Sequence, residues 1–430
     1  MKIILKVCKF GGSSVATANK IKMIKMIMDE DSNRRILVTS AIGKKSEDDT
    51  KLTDLLYLLA AHVKLNIAYN MLYARIKDVL IEIKNRLNIN FDLESELNEL
   101  YNHLPLYDEN FIVSRGEYFT AKILSNYLGY QFVDAKDIIC FDFDGNLNEK
   151  ETIAKIKINC TDKKIVVPGF YGSYPNGKIK LLTRGGSDVT GAILSNALNA
   201  ELYENFTDVS GVYVVDPKII RGQKNLSFLS YNELRKLAYH GASVIHEDTI
   251  FPLLKNNIPL KICNMEDRHI GTLISSLGSN QKDILGIISK KNYIILKIEK
   301  NLTSKQKLLD YIYPKLFKYN IVMSHFVMKE DCVNIVIHKE NATHIYDIIE
   351  ELRTEKITKI LVDEDVALIS VICRNGNFSN DIMAVLSSKK ENCKLFLSSE
   401  NDDVYTIGVQ NSDVIRVVEM FYNGLVDKIS

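Results

Sequence analysis

Apolar positions fall into two textures along this chain. In the first two thirds, short apolar runs alternate with stripes at helical spacing. Ile3 to Val7 and Arg35 to Ser40 have the length and content of buried strands. Leu52, Leu55, Leu56, Leu59 and Val63 make one helical stripe. Ile67 to Leu104 is charged and amphipathic and predicts a helical cap or insertion with no chemistry of its own. Arg115 to Leu128 predicts a helix that Gly129 closes one position past its end. Ile165 to Val167 predicts a strand running into the turn Pro168-Gly169. Ser230 to Tyr239 predicts a helix that opens with the capping box Ser230-x-x-Glu233. This alternation predicts an α/β domain, a mostly parallel sheet sandwiched by helices. Ligands on such sheets sit outside the carboxyl ends of the strands.

From about Ile284 the spacing shortens. Strands are predicted at Tyr293 to Ile298, Ile321 to Val327, Val333 to His338 and Ile357 to Val362, with helices at Lys305 to Phe317 and Thr343 to Leu352. Val366 to Cys373 starts the series again: a helix near Asp381 to Ser388, strands near Leu395 and Tyr405, and a helix from Ser412 to Tyr422. The pattern is βαββαβ twice, the ferredoxin-like unit, with a period of about 70 residues. Two small repeats behind a larger domain suit regulation or assembly; enlarging a dimer interface is the plainer alternative.

At 430 residues the chain has room for two or three domains. Apolar content of 46% and a net charge of +1 fit a globular protein with no reason to bind nucleic acid or membrane. No apolar run approaches the ~20 residues of a membrane span. Lys6 and Lys9 break the N-terminal apolar run, so it is not a signal peptide. The seven cysteines form no Cys-x-x-Cys pair, and the eight histidines lack ligand spacing. A cytoplasmic protein without a metal cluster is the expectation.

Four clusters carry candidate chemistry. Lys9 to Val15 (KFGGSSV) puts Gly11 and Gly12 at a strand end, where backbone N–H groups can hold phosphate oxygens and Lys9 adds charge. It has neither Walker A nor GxGxxG spacing, and alone it is equally plain turn chemistry. Thr183 to Asp188 (TRGGSD) opens a helix at Val189. Helix starts attract anions, and Arg184 can grip a carboxylate with two parallel bonds. Asp188 makes sense there if it pairs with a lysine or Mg²⁺; Ser187 and Asp188 are otherwise ordinary caps. Thr207, Asp208, Tyr213 and Asp216 flank a short strand and can face a nucleotide; taken alone the segment is a plain turn and strand. Ser114-Arg115-Gly116-Glu117 starts a helix, where Glu117 either complements the helix dipole or holds an ammonium group.

In their order these segments resemble aspartate kinase, of the amino-acid kinase family. The matches are KFGGSSV, TSAIGK (Thr39 to Lys44), TDLL (Thr53 to Leu56) and SRGEYFTAKIL (Ser114 to Leu124). They continue with PGFYG (Pro168 to Gly172), TRGGSD, TDVSGVYVVDPK (Thr207 to Lys218) and HGASVIHEDTIFP (His240 to Pro252), over about the first 280 residues. The resemblance implies an amino-acid kinase domain over 1–283, and two ferredoxin-like ACT domains over 284–362 and 363–430. It is similar to the form without a fused homoserine dehydrogenase. It implies phosphorylation of the L-aspartate β-carboxylate by ATP with Mg²⁺, the first step of lysine, threonine and methionine biosynthesis. Feedback by lysine, otherwise threonine, and a homodimer or dimer of dimers through the ACT domains are also implied.

Residue by residue, Lys9 matches the lysine that stabilises the transferring phosphoryl group, and Asp188 the acid that organises it. Gly11 and Gly12 match the glycines that approach the phosphates. Ser40, Thr53, Glu117, Arg184 and Ser187 fall where the family binds aspartate, with Phe170 near the substrate. Thr207, Asp208, Tyr213, Asp216 and Lys218 match the nucleotide site. Ser243 stands where many members have lysine, so a second cation must come from elsewhere, for example Lys218 or Arg221, or be absent. His246-Glu247 replaces the frequent His-Pro. The effector loops, Asn301 to Ser304 and Ser324 to Phe326, lack the usual glycines, and Asn375-Gly376-Asn377 is the clearer turn. The alternatives are another amino-acid or carbamate kinase, and a non-catalytic amino-acid sensor.

Overall fold

The structure, a computed structural model, describes residues 5–46, 48–183, 185–223, 225–242, 245, 247–268, 270–278, 283–299, 305–328, 332–353, 359–374, 377–388, 393–398, 403–425 and 427. The readings at Arg184, Ser243, His246, Asn301 to Ser304 and Asn375-Gly376 lie outside the described residues. The chain divides into two compact units. One comprises Met1–Val212, Asn225–Ala238 and Ser243–Ser279; the other comprises Tyr213–Lys224, Tyr239–Ala242 and Asn280–Ser430.

The first unit is built on an eight-stranded sheet. Its strands are β1 (Lys6–Phe10), β2 (Arg34–Thr39), β3 (Gln131–Phe132), β4 (Ile165–Pro168), β5 (Leu202–Thr207), β6 (Phe228–Ser230), β7 (Leu260–Asn264) and β8 (Gly271–Ser275). Their order is β6-β8-β7-β5-β1-β2-β4-β3. Among the described residues the neighbours run parallel except β7 and β8. Alternate residues of β1 point to opposite faces, as a strand buried on both sides requires. Cys8 and Phe10 join a core with Leu37, Val166 and Phe206. Helices α1 (Ala18–Glu30), α2 (Leu52–Lys64), α3 (Asn70–Arg86), α4 (Leu93–His103) and α5 (Glu109–Leu128) close over that core. Helix α6 (Gly186–Ala197) packs its Gly191 on Tyr203, where a Cβ would stand 2.5 Å from the phenol oxygen. The predicted cap from Ile67 to Leu104 is the two helices α3 and α4.

Two boundaries differ from the sequence pattern. β1 reaches Phe10 instead of ending at Val7, because Phe10 pairs with Thr39 on one side and Phe206 on the other. Lys9 is therefore a strand residue, not a turn residue. α5 starts at Glu109, not Arg115, because the Asp108 carboxylate accepts from Phe111 N–H at 2.9 Å. Ser114 to Glu117 thus lie inside the helix, and dipole complementarity does not explain Glu117. The capping box is present: Ser230 N–H donates to Glu233 at 2.6 Å and Glu233 N–H to Ser230 Oγ at 3.2 Å.

The second unit holds a six-stranded antiparallel sheet: β9 (Asp283–Glu299), β10 (Met323–Met328), β11 (Cys332–His338), β12 (Lys359–Arg374), β13 (Leu395–Ser398) and β14 (Val404–Val409). Their order is β10-β11-β9-β12-β14-β13. The long strands β9 and β12 each serve both repeats. Tyr293 to Glu299 pair with β11 and with the start of β12, whereas Asp283 to Lys290 pair with Leu368 to Arg374. The second repeat thus takes its fourth strand from residues ahead of the first. Helices α7 (Lys305–Lys318) and α8 (Ile345–Arg353) cover the first repeat, and α9 (Ser379–Ser388) and α10 (Val414–Leu425) belong to the second. Val414, Val417, Val418, Phe421 and Leu425 are the buried stripe of α10. Ser324 to Phe326 lie in β10, so this expected loop is strand.

Arg34 locks the first sheet. Its guanidinium donates two bonds to the Glu204 carboxylate, at 2.7 and 2.9 Å, and a third to Ile27 C=O at 2.7 Å. Burial disfavours the Arg34 charge, but Glu204 more than offsets this and raises its pKa further. Removing one partner of a buried pair leaves the other uncompensated, which costs about 3 kcal/mol or more. Arg34→Met should lower the urea midpoint of the first unit accordingly; an unchanged midpoint would show the pair to be dispensable.

Candidate active site

The carboxyl ends of β1, β2, β4 and β5 open into one cavity of about 810 Å³. Each strand end contributes a short segment. Lys9, Gly11 and Gly12 come from β1 and the turn after it, Ser40 follows β2, Phe170 follows β4, and Thr207 and Asp208 end β5. Ser187 and Asp188 enter from the first turn of α6, Thr53 from α2 and Glu117 from α5. Tyr213, Asp216 and Lys218 are not in this lining and belong to the second unit. Among them, Asp216 Oδ1 accepts from Lys218 N–H at 2.9 Å.

Lys9 and Asp188 form the centre of the site. The ammonium lies 2.6 Å from Asp188 Oδ1, and both side chains are largely buried. Asn205 is paired with Lys9 in the β1–β5 register, and its amide donates to the same Oδ1 at 3.0 Å. Tyr203 O–H donates to the Asp188 carbonyl at 3.1 Å. Asp188 therefore pairs with a lysine, one of the two arrangements its sequence position left open. Sequence reading missed Asn205, which no motif marks; only strand register reveals it.

Close backbone approach explains the glycines. Gly43 N–H donates to Gly12 C=O at 2.9 Å, and a Cβ on Gly43 would lie 2.5 Å from the Gly12 carbonyl carbon. The turns after β1 and β2 thus touch back to back. Gly11 N–H donates to Phe206 C=O at 3.2 Å, so it is not free for a phosphate, contrary to the simplest reading of KFGG. Gly169 leaves room for Ser187, whose Cβ would sit 2.6 Å from an added methyl. Phe170 has φ +77, a left-handed conformation that non-glycine residues seldom adopt. Its N–H donates to Thr190 Oγ1 at 3.1 Å and its C=O accepts from Leu182 N–H at 2.8 Å, which hold the strained residue at the cavity wall.

The Ser114–Glu117 motif divides into scaffold and site. Arg115 is buried between the rings of Phe111 and Tyr118, each 4.3 Å from its guanidinium carbon, and donates to Ser114 Oγ at 2.9 Å. Gly116 lets α5 meet Ala41 and Leu56. Glu117 alone of the four lines the cavity. Burial pushes its carboxyl up to about 8, although the Ala41 N–H pulls the other way, and its Oε2 has no partner. Lys44, Lys45 and Lys51 add positive charge to the lining. The expected second cations, Lys218 and Arg221, are not part of it.

The profile of the amino acid kinase family matches residues 5–264. The chain belongs to the amino acid kinase family. Aspartokinase 3 of Bacillus subtilis (strain 168) is 28% identical over 97% of this chain and 98% of its own length. A Clostridium acetobutylicum aspartate kinase of known structure is 37% identical, with a TM-score of 0.92, and the match covers 98% of this chain and all of that one. Escherichia coli aspartokinase III, solved with aspartate and ADP, shares the fold at 21% identity and a TM-score of 0.74, over 98% of this chain and all of that one. The same protein solved with lysine and aspartate gives a TM-score of 0.76 at 22% identity, over 98% of this chain and 99% of that one.

Glu117 gives the free site a pH signature. A carboxyl with a folded pKa near 8 and an unfolded value near 4.5 contributes most at low pH; stability then falls as pH rises between the two. The slope from this one group is at most about 1.4 kcal/mol per pH unit. Glu117→Gln should remove that decline in urea midpoints taken from pH 5 to pH 9. An equal decline in both proteins would assign it to other groups.

Proposed function

We propose that the protein transfers the γ-phosphoryl group of Mg-ATP to the β-carboxylate of L-aspartate, giving 4-phospho-L-aspartate. The observation that carries this reading is the Lys9–Asp188 pair in the wall of the first unit's cavity, in a chain of this family. The nucleophile is a carboxylate already ionised at neutral pH, so the reaction needs no general base. It needs alignment and stabilisation of charge on the phosphoryl oxygens. Lys9 supplies the cation and Asp188 aims it. Gly11 and Gly12 let the phosphates approach, and Thr207 and Asp208 meet the nucleotide.

Glu117 receives the substrate ammonium. A buried carboxyl held up to about 8 releases its proton when a cation arrives, so ammonium binding and Glu117 ionisation reinforce one another. Ser40, Thr53, Phe170 and Ser187 complete the aspartate site. Arg184 grips the α-carboxylate, and Tyr213, Asp216 and Lys218 serve the nucleotide, on the family resemblance alone. Among the described residues the cavity lining holds four carboxylates, Asp54, Glu117, Asp188 and Asp208, and the last two follow Ser187 and Thr207. Asp188 is committed to Lys9, so Asp208 is the oxygen donor suited to a Mg²⁺ held mainly by phosphates and water.

The domain division 1–283, 284–362 and 363–430 goes with this reading, the strand from 283 to 290 completing the second ACT domain. We assign those domains to feedback by lysine, otherwise threonine, and to dimerisation; the lysine complex of the E. coli relative supports the first. No described helix is long and apolar enough to cross a membrane, which fits a cytoplasmic enzyme at the head of lysine, threonine and methionine synthesis.

The test is a hydroxamate assay with aspartate, ATP and Mg²⁺, with and without lysine or threonine. Hydroxylamine traps an acyl phosphate, so signal with aspartate and not glutamate is the expected result. Lys9→Ala should lower kcat by about 10²- to 10³-fold with a small change in KM, by analogy with loss of one oxyanion donor. A near-normal kcat in that variant would overturn the assignment. Signal lost with lysine would identify the effector. A folded protein that neither gives signal nor gains melting temperature from Mg-ATP would instead be a sensor.

A further inference from the structure

A second cavity, of about 240 Å³, lies within the second unit and shares no residue with the first. At ~30 Å³ per water it has room for about eight waters, or a small organic acid. Its polar lining is made of bases and hydroxyls: Lys290 from β9, Ser324 and His325 from β10, Ser370 from β12, and His240. None of the described lining residues carries a carboxylate.

The bases are held in place. Lys290 Nζ donates to the Tyr239 carbonyl at 3.1 Å. Gly241 has φ +111, a conformation that suits glycine, and the Lys290 stem packs on it, its Cε 2.3 Å from where a Cβ would stand. His240 Nδ1 lies 3.1 Å from Ser370 Oγ, which in turn lies 3.1 Å from Thr406 Oγ1. His325 Nδ1 is buried and has no hydrogen-bond partner.

We propose that this cavity binds a small oxyanion, a phosphate or a carboxylate, gripped by Lys290, His240 and His325. Lys290 disfavours charge on both imidazoles, and His325 disfavours it on His240. Burial, then the neighbouring His325 and Lys290, pushes His240 down to about 4, with Asp403 pulling the other way. Burial, with Lys290 beside it, lowers His325, and burial lowers Lys290. An oxyanion among them removes that conflict and supplies the acceptor that the unpartnered His325 nitrogen lacks. Binding then raises the imidazole pKa values and takes up protons, so affinity grows as pH falls towards the ordinary histidine range. Tyr239 and Tyr293 are the other titratable residues in the lining, and burial raises the Tyr293 phenol further.

The proposal is independent of the kinase reading. Its test is calorimetric titration of the full chain with sodium phosphate and, separately, sodium succinate at pH 6 and pH 8. Wild type, Lys290→Met, His325→Gln and Lys9→Ala are compared, the last to remove anions held by the larger cavity. Binding should be tighter at pH 6, survive in Lys9→Ala, and weaken about tenfold or more in each of the other two variants. Phosphate alone binding would name a phosphate site; succinate binding as well would name a carboxylate site. The proposal fails if neither anion binds at pH 6, or if affinity does not rise from pH 8 to pH 6. It fails equally if Lys9→Ala abolishes binding, or if both other variants bind like wild type. The pH comparison in wild type decides the matter if a variant does not fold.

Discussion

A lysine that faces a cavity from the middle of a parallel sheet must be aimed, and here the aim is set from the core outwards. Gly191 leaves space for the Tyr203 ring; the Tyr203 hydroxyl fixes the Asp188 backbone; the Asp188 carboxylate takes the Lys9 ammonium. Asn205, in register with Lys9, holds the same carboxylate oxygen from the adjacent strand. Each contact involves a buried or nearly buried group, where a lost partner is costly and alternative geometries are few. The site is therefore as rigid as the sheet that carries it, which is what stabilising a transferring charge requires.

The same economy of space governs the loops. The turns after β1 and β2 touch through Gly12 and Gly43, and this contact brings Ser40 and the lysine-rich segment after it to the cavity. A methyl on Gly43 would drive the two backbones apart. The contact between Gly12 and Gly43 accounts together for the second glycine of KFGGSSV and the glycine of TSAIGK.

Much of this was legible in the sequence, for identifiable reasons. Alternating apolar runs and helical stripes predicted the α/β domain, and the doubled short pattern predicted the antiparallel tail. Local signals with a defined geometry, such as the Ser230–Glu233 box and the left-handed Gly129, appear where they were expected. Features that depend on non-local pairing were not legible. β1 extends to Phe10 because both neighbouring strands pair with it there, and α5 starts early because Asp108 caps it. Asn205 carries no motif and becomes visible only through register. The residues of SRGE look alike in sequence, yet Arg115 is scaffold and Glu117 faces the cavity.

The tail shows why a repeat in sequence need not be a unit in space. Read alone, the second repeat ends on a helix and would leave one edge of β12 open, with unpaired N–H and C=O groups. Asp283 to Lys290 close that edge, and the chain then runs through β9 into the first repeat. β12 passes through both halves as one strand, and β9 does so with a bulge where Lys290 to Tyr293 face Leu368 to Val366 and with Asn292 at φ +67. The two halves therefore share two strands, and the bulge in β9 marks the point where one half meets the other. A ligand that favoured one arrangement of a strand shared in this way would be felt in both halves.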